Sequence, residues 1–138
     1  MPDLSRFLDA QRHSYPAALS EIRNGRKHSH WMWYIFPQIA GLGFSSTAQY
    51  YAIQDLSEAR AYLEEPTLRF RLLEISQALL EQSGHDAEAI LGWPDNLKLR
   101  SSMTLFLHAD PSIPVFQKVL DKFYDGIEDE RTVALLDE

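Results

Sequence analysis

The chain contains no cysteine. Disulfide staples, thiolate metal sites and cysteine nucleophiles are therefore excluded at once. Long apolar runs are missing too. The longest, WMWYIF, falls far short of the roughly 20 residues that a membrane-spanning helix needs. The first residues, MPDLSRFLDAQRH, show no basic stretch followed by an apolar one, so no signal peptide is expected. Basic residues are in deficit. With 13 Lys and Arg against 20 Asp and Glu, the net charge is −7, which argues against broad binding along a nucleic-acid backbone. No G-x-S-x-G elbow accompanies the serines, and no G-K-[ST] follows GLGFSS, residues 41–46, so neither a serine-hydrolase elbow nor a P-loop is present. Repeats, linkers and low-complexity segments are also lacking. The expectation is a soluble, cytoplasmic protein.

What remains is a chain built to fold. At 138 residues it is read as one domain, residues 1–138, long enough to bury roughly two-thirds of its unfolded surface. Helical patterns dominate. Pro2 and Asp3 open a short helix with Leu4, Phe7 and Leu8 on one stripe. Pro16 fits the first turn of a second helix, running through Ala18, Leu19 and Ile22 to Gly25. Ser45 or Ser46 caps a short helix through Tyr51, and Asp55 with Glu58 resembles a capping box. Thr67 caps the clearest helix, with Leu68, Leu72, Ile75 and Leu79 on its stripe and Gly84 at its close. Further helices are expected from Asp86 to Leu91, from near Pro94 through Phe106, through Phe116, Val119, Leu120 and Phe123 to Gly126, and from Glu128 or Asp129 through Leu136. The fold class is mostly α: a single-domain helical bundle of about 7–8 short helices with one irregular or extended aromatic segment at residues 28–40.

RKHSHWMWYIFPQ, residues 26–38, is the strongest oddity. It supports two readings. Its aromatic side chains pack the core, or they form a stacking wall for a planar ring while Arg23, Arg26 and Lys27 hold a phosphate or carboxylate. If the segment is extended, Trp31 and Trp33 face one way and Met32 and Tyr34 the other. On a strand His28 and His30 would share a face, as metal ligands require, but the sequence places no third ligand beside them and no metal is expected. A second unusual stretch is WPDNLKLRSSMTLF. There Asp95, Lys98 and Ser101 fall at i, i+3 and i+6, close to one helix face. That pattern is either an N-cap with an ordinary ion pair or part of a site.

These segments carry a family resemblance. HWMWYIFPQ, GLGFSS, EARAYL, KLRSSMTLF and the closing F-x-x-V-L-x-x-F-Y-D-G together resemble a bacterial family known as domain of unknown function eighteen-ten, over nearly the whole chain. Its members often carry the name calpastatin. That name denotes a disordered inhibitor and does not suit the periodicity and apolar content seen here. A remoter resemblance is to the NADAR or YbiA-like N-glycosidases. They have a Ser-x-Glu-His-Tyr-Tyr helix followed by a Pro-Asp-Trp-x-x-x-Lys segment. Ser46-Thr47-Ala48-Gln49-Tyr50-Tyr51 is similar to the first and Trp93-Pro94-Asp95-Asn96-Leu97-Lys98 to the second.

That resemblance implies a ribosyl ligand such as ADP-ribose. Lys27 and His30 are then expected as anion contacts, Trp31 and Trp33 as an aromatic wall, and Gln38, Ser46 and Gln49 as polar contacts. Asp95 is expected as the acid/base or a ribose contact, with Lys98 beside it. Ala48 stands where the N-glycosidases have their glutamate. Cleavage of an N-glycosidic bond passes through a cation-like sugar that a carboxylate must stabilise. So the chain either binds without turnover or takes its carboxylate from Asp95, Asp125 or Asp129. The expectation is a protein that binds or hydrolyses an ADP-ribose-like or ribosyl-nucleotide compound, with no cofactor and no membrane. The alternative is a non-catalytic interaction module whose aromatic stretch docks a partner chain.

Overall fold

A computed structural model describes residues 3–137. Among them are nine helices and no β-strand: α1 (Ser5–Arg23), α2 (Met32–Ile35), α3 (Ser46–Tyr51), α4 (Leu56–Glu64), α5 (Pro66–Leu80), α6 (Ala87–Leu91), α7 (Asp95–Ala109), α8 (Pro114–Tyr124) and α9 (Glu130–Leu136). The all-helical class read from the sequence is the class observed.

The apolar stripes decide the packing. Leu68, Leu72, Ile75 and Leu79 of α5 are buried, and this helix packs on α1, α4 and α8. Phe116, Val119 and Leu120 of α8 close the opposite side. Leu99, Met103, Leu105 and Phe106 of α7 fill the space between α4 and α8. Each such side chain contributes about 1.5–3 kcal/mol on leaving water. An aromatic line runs through the core: Phe7 meets Tyr62 edge-on at 5.2 Å, Tyr62 meets Phe106 at 5.1 Å, and Phe106 meets Phe116 at 5.9 Å.

Three local expectations are corrected. The two helices expected before Gly25 are one, because α1 runs unbroken through Pro16. Pro16 sits on the exposed face, where water can serve the carbonyl that its missing N–H leaves unbonded. The expectation for Pro2 lies outside the described residues; α1 itself begins at Ser5, whose N–H bonds Asp3 Oδ1 at 2.9 Å. Thr67 does not cap α5. Pro66 takes the first helical position, which has no use for an N–H, so Glu65 becomes the cap and accepts from the Leu68 N–H at 2.7 Å. Gly84 does not close α5 either. The helix ends at Leu80, and the Lys122 ammonium donates to the carbonyls of Leu80 and Gln82.

The aromatic segment takes its irregular form, with a single helical turn in the middle. Glu21 fixes its start. That carboxylate accepts from the N–H groups of His28 and Ser29 at 2.6 and 2.9 Å, the Ser29 hydroxyl at 2.6 Å and the Trp31 indole at 3.0 Å. Burial works to raise its pKa, but these four donors outweigh it and hold the carboxyl at about 2. Because the segment is not extended, Trp31 and Trp33 do not face the same way. Trp31 is 1% exposed and belongs to the core, while Trp33 remains half-buried at the surface. Downstream, a parallel bridge pairs Ile39 with Ile53, with Ile53 N–H donating to Gln38 and Ala40 N–H to Ile53, both at 2.8 Å. It pins residues 38–40 beside the linker between α3 and α4.

Candidate functional site

The residues singled out in the sequence divide into three groups. The first faces a surface groove. Gln38, Gly43, Pro94, Leu97, Lys98, Arg100, Ser101, Asp129 and Arg131 line a cleft of about 340 Å³. Gln38 and Gly43 also line a shallow extension towards Trp33, Ala48 and Tyr51. The floor comes from the first turns of α7, one bank from the turn after Gly41, and the other from the start of α9.

Gly43 is needed where the banks meet. A Cβ there would lie 2.6 Å from the Ala48 Cβ, so only glycine lets the turn approach α3 this closely. Ser45 caps α3 by accepting from the Ala48 N–H at 3.1 Å, which fixes Ala48 at the groove's edge.

The second group stands behind the groove. Lys98 Nζ lies 3.4 Å from Asp95 Oδ1 and 5.3 Å from the centroid of the Trp33 ring. Lys27 Nζ lies 3.0 Å from Asp95 Oδ2 and 5.2 Å from the Trp31 ring. Asp95 thus bridges two ammonium groups, each resting against an indole. Lys27 is only 9% exposed, and its N–H bonds the Ile90 carbonyl at 2.7 Å, so it anchors the loop after α1 onto the corner between α6 and α7. Lys98 is more open at 27% and reaches the groove. A carboxylate with one cation on each oxygen positions those cations; its own oxygens are engaged.

The third group lies elsewhere. His28 and His30 are exposed and outside the groove lining. Ser46 and Gln49 lie on the exposed side of α3, where Gln49 Nε2 donates to the Phe44 carbonyl at 2.9 Å and braces the turn.

The α9 bank is held by polar bonds. Arg100 donates to the carbonyls of Ile127 and Glu128 at 2.9 and 2.8 Å. Asp129 caps α9, accepting from the Thr132 N–H at 3.0 Å and hydroxyl at 2.6 Å, and from Ser101 Oγ at 3.1 Å. Its own N–H bonds Thr104 Oγ1 at 2.9 Å. These contacts explain the Ser101 and Thr104 hydroxyls on a helix otherwise buried. Arg131, the second residue of α9, then lines the groove with no ion-pair partner among the described residues. Sequence reasoning missed Arg100 and Arg131. Ser101 carried a signal through its spacing from Lys98; Arg131 carried none, because its place depends on how α9 docks on α7.

Comparison with known proteins agrees with the architecture. The chain is similar to a conserved hypothetical protein from Mycobacterium tuberculosis whose crystal structure has been solved. The two are 48% identical, the match covers 99% of this chain and 97% of that one, and the TM-score is 0.96. A search of curated proteins found no match. The model of the family described as "Protein of unknown function (DUF1810)" matches residues 1–136, and the chain belongs to that family.

Proposed function

We propose that the groove binds a small anionic compound with a planar ring, of the ribosyl-nucleotide class, and does so without hydrolysing it. The observation that carries the proposal is the placement of Lys98. Its ammonium rests over Trp33, is steadied by Asp95, and opens onto a cleft that also presents Arg131 and the Ser101 hydroxyl. A cation cluster of this kind suits a phosphate. The half-buried face of Trp33 suits a ring, and the Gln38 amide suits ribose hydroxyls. In a chain of net charge −7, such a local concentration of cations needs a reason.

The carboxylates argue for binding over cleavage. Asp95 has one ammonium on each oxygen. Asp129 is fixed as a helix cap through Oδ2, Asp125 lies outside the groove lining, and Ala48 offers no carboxylate at the groove's edge. Asp95 and Asp129 are thus tied to other groups, which argues against a carboxylate placed to face a cation-like sugar.

The test is a thermal-shift and tryptophan-quenching panel with ADP-ribose, NAD, ribose phosphate and mononucleotides, followed by chromatography for released base. Saturable stabilisation by the phosphorylated ribosyl compounds, with no base released, is the expected result. Silence across the panel sinks the proposal, and release of free base overturns its non-hydrolytic part.

A further inference from the structure

The groove has an unusual rim. Six large apolar side chains are conspicuously exposed on the described surface; Leu97 lines this cleft, Phe44 and Trp93 each adjoin a lining residue in the chain, and Ile127 is tethered to the lining residue Arg100. Phe44, 78% exposed, follows Gly43 in the turn that forms one bank. Trp93, 71% exposed, precedes Pro94 on the floor, and Leu97, 48% exposed, lines the floor itself. Ile127, 56% exposed, has its carbonyl held by Arg100 beneath the α9 bank. Isolated exposed apolar residues need no explanation, but four gathered around one cationic cleft do.

Charge and ring chemistry select the occupant. Lys98 and Arg131 in the cleft, with the charge of the tethered Arg100 behind them and Asp129 the one lining carboxylate, call for an anionic partner. Two of the four rim residues are aromatic, and Trp33 adds a third ring beside the cleft. Bases stack on aromatic faces whatever their sequence, so exposed rings beside a cationic cleft suit a nucleotide partner. The overall charge of −7 then limits the length, because a long strand or duplex tracking over the surface would be repelled.

We infer that the groove takes the end of a short single-stranded nucleic acid: the terminal nucleotide sits in the cleft, and the next bases stack on the Trp93 and Phe44 rim. This rests on the reading of the cleft as a site for an anion and a ring. It adds that the ligand is the end of an oligomer.

Calorimetric titration with an adenosine mononucleotide, dinucleotide and tetranucleotide tests it. The tetranucleotide should bind about tenfold more tightly than the mononucleotide, the gain expected from one or two stacked bases. A chain carrying Phe44→Ala and Trp93→Ala, checked for unchanged helical circular dichroism, should lose that gain and keep its mononucleotide affinity. If the mononucleotide binds and the tetranucleotide binds no better, the inference is overturned while the reading of the cleft survives. If neither binds, both fall. A duplex or an acidic peptide bound as tightly as the tetranucleotide also overturns it, as does a rim-dependent dimer seen in sedimentation.

Discussion

The side of the molecule built from α1, α5 and α8 and the side that carries the groove are held together by different physics. On the first side, buried leucines, isoleucines and phenylalanines recur at helical spacing and interlock over whole helices. On the second, short helices and turns are fixed by individual polar bonds: Glu21, reaching from the end of α1, under the aromatic loop, Asp95 between two lysines, and Arg100 and Asp129 under α9. Within α9 only Thr132 is buried. Apolar interlocking makes a rigid base, whereas polar tethers place particular side chains at particular points. The chemistry-bearing residues all lie on the tethered side.

That contrast predicts a graded response to substitution. The largest loss belongs to the interlocked core, where α7 meets α4 and α8. Phe106 is fully buried against Tyr62 and Phe116, and Phe106→Ala should cost about 3–5 kcal/mol in urea unfolding. A cost under about 1 kcal/mol would mean that the aromatic line is not the core of the fold. Next comes Asp95→Asn, which leaves Lys27 nearly buried without its counter-charge and should cost about 2 kcal/mol. Adding Lys27→Met to that variant should recover part of the loss, because no unpaired ammonium then remains. No recovery would show that Asp95 acts through something other than Lys27.

Glu21→Gln should cost less, about 1 kcal/mol at neutral pH, since solvent still reaches the carboxylate. Its signature is the pH dependence. The folded carboxyl sits at about 2 against an ordinary value of 4.5. Its contribution is therefore present above pH 4.5 and lost as pH falls towards about 2. The variant's stability should fall less steeply than the parent's across that window. Identical acid-unfolding curves would rule out Glu21 as the fastening of the loop. Smallest of all is Trp93→Ala, which should change stability by no more than about 0.5 kcal/mol because the ring lies in solvent.

The same division explains what could be read from the sequence. Periodic stripes such as Leu68, Leu72, Ile75 and Leu79 announced their helix and its buried face, because burial repeats with the helical turn. The cap at Asp55 was legible, and Ser45 and Asp129 were each one of two adjacent candidates, because a short polar side chain ahead of an apolar run has a local job. Pro16 misled because a proline that opens a helix and one tolerated on an exposed face look alike without tertiary context. The groove was half legible. Lys98, Trp33 and Gln38 stood out by residue type, yet the carboxylate that organises the lysines joins residues 27 and 95, and Arg131 arrives from the far end of the chain. Contacts across such separations leave no local pattern. Trp31 shows the converse: it was conspicuous by type, but its indole serves Glu21 and the core.

The central claim is that Lys98, steadied by Asp95 over Trp33, makes the groove a site for an anion and a ring. Calorimetric titration of ADP-ribose into the parent chain and into Lys98→Ala, both checked for unchanged helical circular dichroism, addresses it directly. The account predicts saturable binding to the parent and affinity at least about tenfold weaker in the variant. Equal affinity in both chains, or no binding to the parent, would contradict it.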